Sequence, residues 1–65
     1  MKSLALVAHH ERATAREHAL QAQQWCAGHD IAFWMPPDDA IALDLAHAGS
    51  ARPIAEADLV LSLGG

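Results

Sequence analysis

The sequence predicts an α/β domain in which three parallel strands alternate with helices in the order β-α-β-α-β, the opening half of a doubly wound sheet. Three observations predict it. Leu4-Ala5-Leu6-Val7-Ala8 is a continuous apolar run of strand length. Leu59-Val60-Leu61-Ser62-Leu63 is a second, nearly all-apolar run that leads into Gly64-Gly65. Neither run has the strict alternation of a half-exposed strand, so each reads as a strand covered on both faces. Between them lies an alanine-rich stretch with helical spacing, which parallel strands need as a crossover.

Leu4 to Ala8 is the first strand, and His9 to Ala13 a loop. Thr14-Ala15-Arg16-Glu17 has the Thr-x-x-Glu spacing of a capping box, so a helix is expected from Thr14 to Ala27, with Glu11 as an alternative start one turn earlier. Ala15, Ala19, Ala22 and Cys26 recur at helical intervals and form a small-residue stripe that can lie close to a sheet, widened by Leu20 and Ala27. Gly28 is expected at the left-handed position that ends the helix. Ile31-Ala32-Phe33-Trp34-Met35 is rich in aromatic and branched residues and reads as the second strand.

Pro36-Pro37 cannot donate to a ladder and ends that strand. Asp38 or Asp39 then caps a short helix running through Ala40, Ile41, Leu43 and Leu45 to Ala46, closed by Gly49. Ser50 to Asp58 is a linker with a helical turn at Ile54 to Ala57, and Leu59 to Leu63 is the third strand. Trp25 and Trp34 read as packing residues.

A chain of 65 residues holds one small domain. A chain of that size buries only about 60% of its unfolded surface, so its core is thin. Net charge is −4, and the basic residues Lys2, Arg12, Arg16 and Arg52 are scattered, which argues against nucleic acid or an acidic membrane as a partner. The single Cys26 has no internal disulfide partner, which fits a reducing cytoplasm and many other settings as well, and it reads as a small packing residue. The apolar run at the amino end is too short for a secretion signal, and no stretch is long enough to span a bilayer.

In open α/β sheets ligands bind beyond the carboxyl ends of the strands. Here that edge gathers His9 to Arg12, the segment after Met35, and Gly64-Gly65. His9, His10 and Arg12 can approach a phosphate or ribose there, or stand as solvated loop residues. The histidines at 9, 10, 18, 29 and 47 lack the spacing and Cys partners of a metal site, so no metal ligands are assigned. Asp38-Asp39 could act as paired carboxylates but are explained as helix-start residues favoured by the macrodipole. No catalytic residue is assigned. Gly64 and Gly65 at a strand end suit either a tight turn or a phosphate-holding turn, because glycine lets the backbone approach an anion.

Ala57 to Gly65 resembles the segment that runs into the Gly-Gly-Asp-Gly signature of the NAD kinases, and the Pro36-Pro37-Asp38-Asp39 stretch is similar to that family's opening. The resemblance implies a Rossmann-like amino-terminal domain, incomplete over residues 1–65, with a mostly β carboxyl-terminal domain lacking. It further implies transfer of a phosphoryl group from ATP or polyphosphate, with a divalent metal such as Mg, to the 2′-hydroxyl of the adenosine ribose of NAD, in a cytoplasmic homo-oligomer. Gly64 and Gly65 alone carry over as cofactor-binding residues, the first half of the nucleotide-binding turn. The signature's aspartate would come next, so the 65 residues by themselves are expected to be inactive. Alternatives are a phosphofructokinase or lipid-kinase relative, which also place Gly-Gly-Asp-Gly after a buried strand, and a non-enzymatic flavodoxin-like binding module.

Overall fold

A computed structural model describes residues 1–8 and 12–63, with Arg12 by its backbone only. The elements are β1 (Ser3–Ala8), α1 (Arg12–Gly28), β2 (Ala32–Trp34), α2 (Pro37–Ala42), 3₁₀ turns at Ala46–Ala48 and Ile54–Glu56, and β3 (Leu59–Leu63). The strands form one parallel sheet in the order β2-β1-β3. This is the small α/β domain expected, with one main helix.

β1 is the central strand and alone carries the burial expected of a doubly covered run. Leu4, Ala5 and Leu6 are at most 5% exposed. Side chains alternate across a strand, so Leu4 and Leu6 share one face with a cluster that includes Ala15, Ala19, Cys26, Met35, Leu43 and Leu45. Fully burying side chains such as Leu6, Met35 and Leu45 stabilises by about 1.5–3 kcal/mol each. Ala5 and Trp34 are register partners on the other face, where Arg52 lies over the Trp34 ring at 4.1 Å. Trp34 Nε1–H also donates to the Arg52 carbonyl.

β3 departs from its expected burial. Leu59 and Val60 are each 46% exposed, and Leu61 and Leu63 are half-buried. The apolar run does form a strand, but at the sheet edge it pairs with β1 alone. An apolar run therefore specified the strand and not its cover. Its amino end is fastened twice: Asp58 N–H donates to the buried Ser3 hydroxyl, and Lys2 N–H donates to Asp58 Oδ2 at 2.7 Å.

The long helix starts at Arg12, so Thr14 lies inside it rather than capping it. The stripe Ala15, Ala19 and Cys26 is buried as expected and Ala22 partly so, whereas Ala27 is exposed. The helix end also differs. Gly28 is the last helical residue, and the left-handed residue is Asp30, at φ 57°. Ile31 N–H bonds the Cys26 carbonyl at 2.8 Å and Asp30 N–H reaches the Ala27 carbonyl at 3.5 Å, the paired bonds of a Schellman closure. Aspartate tolerates this conformation through its short polar side chain. Trp25, expected to pack inside, is 46% exposed and stacks on His29 with ring centroids 4.4 Å apart.

The second helix is shorter than expected. Pro37 occupies its first turn, and the helix ends at Ala42. Asp44, at φ 59°, turns the chain into the 3₁₀ turn at Ala46–Ala48. This break lets Leu43 and Leu45 both enter the core. Gly49 does follow that turn, in an extended conformation, and it pairs in parallel with Met35.

Candidate functional site

The carboxyl edge of the sheet is built by three described segments. The β1–β3 register runs from Leu4↔Leu59 to Ala8↔Leu63, so both strands end side by side. The chain leaves β1 for β2 on one side while β3 lies on the other, which makes the β1/β3 ends the point where strand order reverses, the place at which open α/β sheets commonly take ligands. His9, His10, Gly64 and Gly65, the expected ligand-edge residues, lie outside the described residues, as does the side chain of Arg12.

The third segment is the start of α2. Its cap residue is Pro36, and no side chain caps the helix, so neither aspartate plays the expected capping role. Both lie in the first turn, where their charge suits the macrodipole. Asp39 has a further contact that the sequence did not announce: its Oδ2 accepts the Ala8 N–H at 3.2 Å, a partly buried bond between residues 31 positions apart. Register explains it. β1 pairs with β2 only through Ala5↔Trp34, after which Met35 turns to the Gly49 side, its N–H bonded to the Ala48 carbonyl. Ala8 lies past its last β2 partner, and the carboxylate takes the place of a strand acceptor.

Several other titratable groups among the described residues lie away from this edge. His29 Nδ1 donates to the Trp25 carbonyl at 2.8 Å, and Gln23 Nε2 donates to His47 Nε2 at 3.2 Å, joining α1 to the first 3₁₀ turn. Arg52 forms an exposed ion pair with Glu56 at 3.1 Å, so its charge is engaged in the strap over Trp34. Burial pushes the Cys26 thiol up from its ordinary 9.0, which suits a packing residue and not a nucleophile. Asp58 is held below the ordinary 3.8, first by the Lys2 backbone N–H. It sits at the start of β3, away from the carboxyl ends. Ala13, Arg16, Leu43 and Asp44 line an open groove of about 270 Å³ between α1 and the end of α2.

Comparison with known proteins gives no match: no family model, curated protein or solved structure matches the chain.

Among the described residues no group of three or more His, Cys, Asp or Glu could hold a metal ion, and no helix is long and apolar enough to cross a membrane. The carboxyl edge is thus an arrangement of backbone ends with one carboxylate. None of its described side chains is placed as an acid, base or nucleophile.

Proposed function

We propose that the chain is the Rossmann-like opening part of an NAD kinase, supplying the sheet edge beneath the nucleotide for phosphoryl transfer from ATP to the adenosine ribose 2′-hydroxyl of NAD. The observation that carries this reading is the Ala8↔Leu63 pairing. It brings the end of β1 beside the end of β3, and in the sequence Gly64-Gly65 follow Leu63 directly. A strand ending at a topological switch point and continued by paired glycines suits a turn whose backbone approaches phosphate. The resemblance of Ala57 to Gly65 to the segment before the NAD kinase signature narrows the nucleotide to ATP and NAD.

Among the described residues no group of three or more His, Cys, Asp or Glu could hold a metal ion. Mg²⁺ is commonly carried on substrate phosphates with only one or two protein carboxylates. In this reading the part played by the chain is binding and orientation, which in phosphoryl transfer supplies much of the rate together with charge stabilisation. The reaction partners are NAD and ATP in a cytoplasmic homo-oligomer.

The test is an assay of the protein expressed from its complete reading frame with NAD, Mg²⁺ and ATP or polyphosphate, scored for NADP. NADP formation dependent on the phosphoryl donor supports the reading. A phosphorylated sugar phosphate or lipid with no NADP replaces it with the phosphofructokinase or lipid-kinase relative. The strand order β2-β1-β3 is also that of flavodoxin-like folds. Nucleotide binding without turnover of any of these substrates therefore favours a non-enzymatic binding module.

A further inference from the structure

We propose that residues 51–63 open and close as one unit on a core formed by the rest of the described chain, and that Arg52 is the latch that holds this unit shut over Trp34. The inference does not rest on the nucleotide reading above.

Burial divides the chain at one place. Among the described residues every buried one lies at or before Ala48, whereas Ala51 to Leu63 contributes none and packs only Leu61 and Leu63 partly against the core. Segments with few buried apolar contacts open locally at a lower free energy than the core they rest on. The boundary is pinned: Met35 N–H bonds the Ala48 carbonyl at 3.0 Å and Ser50 N–H bonds the Met35 carbonyl at 2.9 Å, so the chain is tied to the end of β2 as far as Ser50. Beyond that pin the unit is held at three places. β3 pairs with β1 from Leu59 to Leu63, and Asp58 is fastened to Lys2 and Ser3. The third place is Arg52. Its carbonyl accepts the Trp34 indole N–H at 3.1 Å, its guanidinium lies 4.1 Å from the centroid of the same ring, and its Nε donates to Glu56 at 3.1 Å. Main chain, cation and ion pair thus converge on one residue, and Trp34, only 4% exposed, is what they cover. Opening of the unit uncovers Trp34 and one edge of the central strand β1.

The experiment is native-state hydrogen exchange followed by ¹⁵N–¹H NMR on the protein expressed from its complete reading frame, comparing wild type with Arg52→Ala and Gln21→Gly. Arg52→Ala removes the cation and the ion pair. Gln21→Gly weakens the exposed face of α1, which belongs to the core whether the unit is open or shut. In wild type the β3 amides and the Trp34 indole N–H are expected to share one protection factor, about tenfold or more below that of the middle of α1. Arg52→Ala should lower that protection about fivefold, the worth of an exposed cation–π contact and ion pair. It should lower α1 protection by the same factor, because the latch is absent from the open and the unfolded states alike. Gln21→Gly should lower α1 protection about threefold and leave β3 unchanged. That asymmetry marks a unit that opens before the core does. If Gln21→Gly lowers β3 protection as much as that of α1, the chain unfolds in a single step and the proposal is overturned. Unchanged protection of β3 and of the Trp34 indole in a folded Arg52→Ala overturns the latch.

Discussion

The end of α1 offers a test in which the glycine and its neighbour two residues on should respond in opposite ways to the usual expectation. Gly28 is the last residue of α1, its backbone is not left-handed, and a Cβ added there meets nothing within 4 Å. Its flexibility then only costs conformational entropy, so Gly28→Ala should stabilise the protein by about 0.5–1 kcal/mol. For a domain of this size that raises Tm by roughly 2–8 °C. Asp30 carries the positive φ of 57° and places a negative charge just beyond the helix carboxyl end. Asp30→Gly relieves both and should stabilise by about 1 kcal/mol. Asp30→Val forces a branched side chain into the left-handed region and should lose about 1–2 kcal/mol. Thermal unfolding followed by circular dichroism measures all three. If Gly28→Ala lowers Tm while Asp30→Val leaves it unchanged, the left-handed residue is Gly28 and the Schellman closure through Ile31 and Cys26 is wrong.

Gly49 should behave unlike Gly28. Its backbone is ordinary, at φ −72°, but an added Cβ would lie 3.2 Å from both Ala40 Cβ and the Ala46 carbonyl oxygen. Gly49→Ala should therefore destabilise by about 1–3 kcal/mol in urea unfolding, and an unchanged midpoint would rule out the close approach. Stability should also fall at both ends of the pH scale. Asp58 is held below its ordinary 3.8, mainly by the Lys2 N–H, so its contribution is complete above 3.8 and lost as pH falls through the lower folded value. Asp58→Asn should flatten that acid limb of Tm against pH. Cys26 is raised above 9.0 by burial, so its neutral thiol favours the fold below 9.0, and the advantage is lost as pH rises through the folded value. Cys26→Ala should flatten the alkaline limb, and an alkaline slope that persists unchanged would assign it to another group.

The element order, strand identities and small-residue face of α1 were legible in the sequence because they rest on short-range patterns. Leu4 to Ala8 is apolar throughout, and Ala15, Ala19 and Cys26 recur at helical spacing, so backbone hydrogen bonding and burial favour the same elements locally. The Pro36-Pro37 pair likewise ended β2 for reasons held within the two residues.

What tertiary structure decided was which apolar strand lies in the middle. Composition made β1 and β3 look alike, and only the order β2-β1-β3 buries Leu4, Ala5 and Leu6 while leaving Leu59 and Val60 open. The same order gave Asp39 its task. Read locally, an aspartate after Pro-Pro is a helix cap. Its actual partner is an N–H 31 residues away, left past the end of β2 because that strand stops pairing at Trp34. Gly64 and Gly65, the residues on which the sequence rested its functional reading, owe their family resemblance to sequence alone. The pairing of Ala8 with Leu63, which sets the two strand ends at one edge, exists only in three dimensions, because register between strands more than fifty positions apart leaves no periodic trace in the chain.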